Sequence, residues 1–96
     1  MRIIARKTLR EFWQQYPDSE QQLRAWFAEA GDADWKTPNE LKEQYRTASI
    51  LTEGRAVFNI CGNRYRLVVW INYELQIIYI KFIGTHKEYD ELDLGE

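Results

Sequence analysis

The sequence holds one cysteine, one histidine, one methionine and two prolines in 96 residues. Cys61 alone closes no intramolecular disulfide and builds no Cys-rich zinc site, so structural zinc is excluded and a reducing compartment is expected. No basic-then-apolar leader is present, and no apolar run approaches the roughly 18 to 20 residues of a membrane span, so a cytoplasmic protein with no membrane partner is expected. Net positive charge is missing as well. At a formal −2 the whole molecule has no general attraction for phosphate polymers. The length excludes a two-domain enzyme, and a single domain over residues 1–96 is expected.

Aromatic residues, by contrast, are plentiful. Four Trp, six Tyr and four Phe, within 45% hydrophobic residues, supply a core that needs no staples and exclude global disorder. Charge is also unevenly spread. Residues 1–53 carry eight basic and nine acidic side chains, while 54–87 carry Arg55, Arg64, Arg66, Lys81 and Lys87 against Glu74 alone. The stretch 88–96 carries five acids and no base. A basic face therefore sits inside an acidic total.

Residues 2–5 suit a short strand, and Leu9, Phe12, Trp13 and Tyr16 fall at helical offsets until Pro17. Ser19 with Gln22 reads as a capping box for a second helix bearing Leu23, Trp26, Phe27 and Ala30, closed by Gly31. Thr37-Pro38-Asn39-Glu40 starts a third short helix to about Tyr45. From Ser49 the period becomes extended: strands over 56–61, 65–71 and 77–83, with a turn at Gly62-Asn63, form an antiparallel meander. Alternation puts Tyr65, Leu67, Val69 and Ile71 on one face, and Arg64, Arg66, Val68 and Trp70 on the other. On the last strand it groups Ile78, Ile80 and Phe82 beneath the helices, and turns Tyr79, Lys81 and Ile83 outward with the arginines. Thr85 followed by Glu88 caps a terminal helical turn in which His86 and Tyr89 share a face.

The stretch from Val57 to Val68 (Val57-Phe58-Asn59-Ile60-Cys61-Gly62-Asn63-Arg64-Tyr65-Arg66-Leu67-Val68) and the stretch from Tyr79 to Asp90 resemble HigB-type toxins of bacterial toxin–antitoxin operons. The opening Ile3-Ile4-Ala5-Arg6-Lys7 with Leu9 and Phe12, and Trp35-Lys36 before Pro38, also look like that family, so the similarity covers nearly the whole chain. The resemblance implies an α+β, RelE-like fold: two to three N-terminal helices on one face of a small antiparallel sheet whose other face handles RNA. It further implies a metal-independent, cofactor-free endoribonuclease that cuts mRNA on the ribosome, with a HigA-like helix-turn-helix antitoxin as partner. In that activity class the RNA 2′-hydroxyl attacks the adjacent phosphate.

Such chemistry needs a base, donors for charge growing on phosphate oxygens, and an acid for the leaving 5′-oxygen. Arg64 and Arg66 are candidates for presenting guanidinium forks to the phosphate, Arg66 foremost because Asn63-x-x-Arg66 matches the family. His86, the sole imidazole, is the natural proton carrier. Lys81 and Lys87 favour its neutral form and a base role, Asp90 the charged form and an acid role, and the two assignments stay open. Tyr89 serves as phenol donor or as a stacking ring. Asn63, Lys81 and Lys87 complete an RNA-binding set around the catalytic candidates.

Blander readings exist for each. A lone histidine at a helix start is commonly a surface residue, and two arginines on a strand are commonly a solvated face. The helix aromatics are core, and Trp70 is left outside the site because strand aromatics more often pack against a loop. Two rival functions share the scaffold: a non-enzymatic toxin that poisons a protein such as gyrase, and a module that only binds its antitoxin. The acidic stretch 88–96 departs from the strongly basic character of many ribosome-acting toxins of this fold, which makes presentation of the message by the ribosome more attractive than capture of free RNA.

Overall fold

In the computed structural model, residues 1–92 are described. Strand β1 (Arg2–Ile4) leads into helix α1 (Arg6–Gln15), and a single 3-10 turn (Pro17–Ser19) joins α1 to α2 (Glu20–Asp32). Helix α3 (Pro38–Gln44) precedes β2 (Ser49–Ile50), β3 (Arg55–Ile60), β4 (Tyr65–Asn72), β5 (Ile77–Thr85) and a final helix α4 (His86–Asp90). The sheet has five strands in the order β1-β5-β4-β3-β2. The meander of β3, β4 and β5 is antiparallel as expected; β2 extends one edge, and β1 pairs parallel with β5 at the other. The α+β class with helices against one face is therefore as the sequence implied.

One apolar layer joins helices to sheet. Leu9, Phe12 and Trp13 of α1, Leu23, Trp26 and Ala30 of α2, and Leu41 of α3 close over Ala56, Phe58, Ile60, Leu67, Val69, Ile71 and Ile78. Each large side chain so buried stabilises the fold by about 1.5 to 3 kcal/mol. The Trp26 and Phe58 rings meet edge-on at 5.3 Å, and Tyr45 meets Phe58 at 5.1 Å. The Tyr45 hydroxyl donates to Glu29, and burial first, with this bond second, pushes its pKa well up.

Several local expectations are corrected. Ser19 does not build a capping box with Gln22: its hydroxyl donates back to the Tyr16 carbonyl at 2.7 Å, closing the 3-10 turn. Gln22 instead accepts the Cys61 N–H at 2.6 Å, across the chain on the β3–β4 turn. Gly31 lies inside α2, which runs on to Asp32 and is capped by Ala33. The largest difference concerns β5. Val69 faces Ile80 and Val68 faces Phe82, so Lys81 is the extra residue of a β-bulge. Beyond it the alternation inverts: Ile83 pairs with Leu67 on the helix side, and Phe82 pairs with Val68 on the open side, the reverse of the period-two assignment. Lys81 itself remains on the open face. Part of the acidic stretch, residues 93–96, lies outside the described residues.

Candidate active site

The open face of β4 carries Arg66, Val68 and Trp70, while the buried face carries Tyr65, Leu67, Val69 and Ile71, none more than 5% exposed. At the β3–β4 turn the backbone reverses through Cys61 (φ 54°) and Gly62 (φ 65°). A left-handed cysteine is unfavourable on its own. The Gln22 side chain receives its N–H, and its thiol donates to the Asp18 carbonyl at 3.3 Å. Burial first, and Asp18 second, push that thiol's pKa up, so it is held as the neutral thiol.

That turn delivers Asn63 to Arg66. The guanidinium donates to Asn63 Oδ1 at 2.6 Å and to the Tyr65 carbonyl at 3.5 Å, and it lies 5.8 Å from the centre of the Tyr89 ring. A contact at each terminal nitrogen and a π face beside it hold the guanidinium still, which lowers the entropy lost when it meets an anion. Directly across the ladder from Arg66 stands Gly84. A Cβ there would come within 2.5 Å of the Phe82 ring and 2.9 Å of Glu88 Oε1, so any side chain at this position would displace both groups.

Helix α4 follows at once, and its start was legible. The Glu88 N–H donates to Thr85 Oγ1 at 3.1 Å, and the Thr85 N–H donates to Glu88 Oε1 at 2.8 Å, a complete capping box. The His86 N–H donates to the Arg64 carbonyl at 2.9 Å, which ties α4 to the start of β4. His86 Nδ1 lies 3.1 Å from Asp90 Oδ2, one helical turn on. With Nδ1 facing the carboxylate, Nε2 is the ring nitrogen turned away from it. The imidazole is 43% exposed.

The fold thus assembles Asn63, Arg66, His86 and Tyr89 at one end of the open face, but it does not bring in the Arg64 side chain. Arg64 belongs to the turn, not to the strand: its guanidinium meets Asp18 Oδ2 at 2.7 Å and lies 5.9 Å from the Tyr65 ring centre, on the helix side. The expectation that Arg64 and Arg66 share a face is overturned because the alternation does not extend into the turn. Asp18 also accepts the Tyr65 hydroxyl at Oδ1, 2.7 Å, and this bond is the main cause of a Tyr65 pKa pushed up to about 12. Lys81 stands farther along the face, its ammonium 5.3 Å from the Trp70 ring and 5.6 Å from Tyr79. Lys87 is exposed at the second position of α4. Gly84, invisible to a search for reactive groups, is the member that sequence reasoning missed.

Helices backing one face of a mixed five-stranded sheet, with guanidinium, phenol and imidazole at the rim of the other, define an α+β protein of the RelE-like kind. The chain belongs to the HigB toxin family, described as the RelE-like toxic component of a toxin-antitoxin system, whose match covers residues 19–92. It is 32% identical over 92 residues to the mRNA interferase toxin HigB of Escherichia coli K12, covering 94% of this chain and 88% of that protein. The mRNA interferase HigB of Shigella flexneri matches to the same extent. Another mRNA interferase HigB, from Escherichia coli O6:H1, is 26% identical over 96% of this chain and 91% of its own length. Membership in this family makes an antitoxin the partner of this chain. Among the described residues, no helix is long and apolar enough to cross a membrane.

Proposed function

We propose that this chain is an mRNA interferase, an endoribonuclease that cleaves messenger RNA by attack of a ribose 2′-hydroxyl on the adjacent phosphorus. The 2′-oxygen–phosphorus bond forms, the phosphorus–5′-oxygen bond breaks, and the products are a 2′,3′-cyclic phosphate and a 5′-hydroxyl. Arg66 stabilises the charge that builds on the non-bridging oxygens, held in place by Asn63 and Tyr89. His86 exchanges the proton through Nε2, with Asp90 orienting the ring. Tyr89 donates its phenol to a phosphate oxygen or stacks on a base, and Lys81 and Lys87 hold flanking phosphates. Arg64, committed to Asp18, is left out of the catalytic set.

The observation that carries this reading is the pairing of an immobilised guanidinium with a carboxylate-oriented imidazole, on two elements tied by the His86–Arg64 backbone bond. At a formal −2 the protein gains little from counterion release, which supports a message presented by the ribosome and a HigA-like helix-turn-helix antitoxin as the silencing partner. The test is expression in a bacterial host with mapping of cut messages. Growth arrest with cleavage is expected from the wild type, and neither from folded Arg66→Ala or His86→Ala proteins. Arrest by either variant with undiminished cleavage refutes the assigned site, and arrest without any cut message favours a toxin that binds a protein such as gyrase.

A further inference from the structure

The open face does not end at the candidate active site. Two register steps beyond Arg66, Trp70 stands across from Arg55 on β3 and Tyr79 on β5, and it is 46% exposed while Trp13, Trp26 and Trp35 are 5% exposed or less. Its placement is built rather than incidental. The indole N–H donates to the Glu53 carbonyl at 2.7 Å, and that carbonyl is presented by a turn with positive φ at Glu53 and Gly54. A Cβ on Gly54 would lie 2.7 Å from the Ile71 carbonyl and 3.2 Å from the indole nitrogen, so the turn closes around the ring only with glycine. The Tyr79 ring lies 5.7 Å away at 37°, and the bulge at Lys81 aims its ammonium to within 5.3 Å and 5.6 Å of the two rings.

Two cavities include this indole in their walls. One cavity of about 320 Å³ is bounded by Glu53, Arg55, Val68, Trp70 and Lys81. A second, of about 300 Å³, includes Trp70 and Tyr79 in its wall. A flat ring with cations beside it and room against it fits a nucleobase whose own phosphate meets the cation. Glu53 argues against a bare phosphate here, since a carboxylate repels an anion, but it accepts from the amino groups that bases carry. Trp70 lies four residues along β4 from Arg66, about 13 Å at the strand rise. A nucleic acid strand covers that distance in about four nucleotides at the ~3.4 Å stacked rise, and in fewer when extended.

We propose that Trp70, with Tyr79 and Lys81, forms a base-stacking subsite that binds a nucleobase of the RNA within four nucleotides of the phosphate held by Arg66. This rests on the endoribonuclease reading above. Stacking on one aromatic ring contributes enough that its loss weakens binding by about 5- to 150-fold.

The experiment compares message cleavage at subsaturating mRNA by wild type, Trp70→Leu, Trp70→Phe and Arg66→Ala, each shown folded by circular dichroism. It also follows the tryptophan emission of the wild-type chain on titration with a decanucleotide RNA made uncleavable by 2′-deoxy substitution. Trp70→Leu is expected to cleave about 5- to 150-fold more slowly, Trp70→Phe to recover most of that loss because a π face returns, and the wild-type emission to be quenched by the oligonucleotide. The emission readout needs no substitution and reports on the one exposed tryptophan. Wild-type cleavage rates in Trp70→Leu, with Arg66→Ala inactive, overturn the subsite alone. A wild type that cuts no message overturns the endoribonuclease reading and the subsite with it. Emission that responds to antitoxin and not to RNA assigns the surface to protein docking and also overturns the proposal.

Discussion

The two faces of β4 differ in what they do for the molecule, although their residues alternate one by one. Leu67, Val69 and Ile71 are shut between sheet and helices, and their neighbours Arg66 and Trp70 look outward, each tethered by a polar bond to a turn residue. The buried face is over-determined: many apolar neighbours close on each side chain, so no single partner sets its position. The open face is under-determined by packing and is organised by Asn63 for Arg66, by the Glu53 carbonyl for Trp70 and by Asp90 for His86. Loss of one such bond therefore moves a functional group without unfolding the protein. Changes on the two faces should separate into activity effects and stability effects.

The largest expected effect lies on the open face. His86→Ala and Arg66→Ala should each slow message cleavage by about 10²- to 10⁴-fold, with little change in melting temperature; single-turnover cleavage and thermal denaturation on the same samples check both halves. Leu67→Ala, one residue from Arg66, should do the converse. Its side chain is fully buried, so a cost of about 2 to 5 kcal/mol in denaturant unfolding is expected. A smaller loss at Leu67, or a large loss of stability at Arg66, would break the division between the faces.

Gly84→Ala sharpens the comparison because its missing Cβ serves both sides. Displacement of Phe82 and Glu88 should destabilise the fold by about 1 to 3 kcal/mol and loosen the α4 capping box, and unfolding and cleavage assays should show both losses together. The smallest effect belongs to the helix-side latch. Tyr65→Phe removes the bond to Asp18 and should cost about 1 kcal/mol. Because the folded-state pKa is raised above the ordinary value of 10.0 to about 12, this contribution is intact below pH 10 and is lost as pH climbs through about 12. Denaturant midpoints measured from pH 9 to 12 should fall more steeply for wild type than for Tyr65→Phe.

Much of this is legible in the sequence alone. The apolar spacing of α1, the Thr37-Pro38 start of α3 and the Thr85–Glu88 box of α4 are local signals, and each is realised where the pattern put it. What stayed hidden is non-local. Nothing within β5 announces the bulge at Lys81, because a bulge is a relation between two strands, and one extra residue exchanges the faces of Phe82 and Ile83. Likewise Gln22 reads as a helix-start residue until the β3–β4 turn arrives against it and takes it for the Cys61 N–H, while Asp18 nearby is taken by Arg64 and Tyr65.

Composition, periodicity and capping chemistry were sufficient to specify an α+β chain, its helix starts, its meander and the family motif around Asn63, Arg66 and His86, since these depend on neighbours a few residues apart. That Arg64 turns away to Asp18, that Gln22 takes the Cys61 N–H and that the Glu53 carbonyl holds Trp70 were settled by contacts between segments far apart in the sequence. Their energies exist only once the sheet has closed, and no short window of sequence contains both partners.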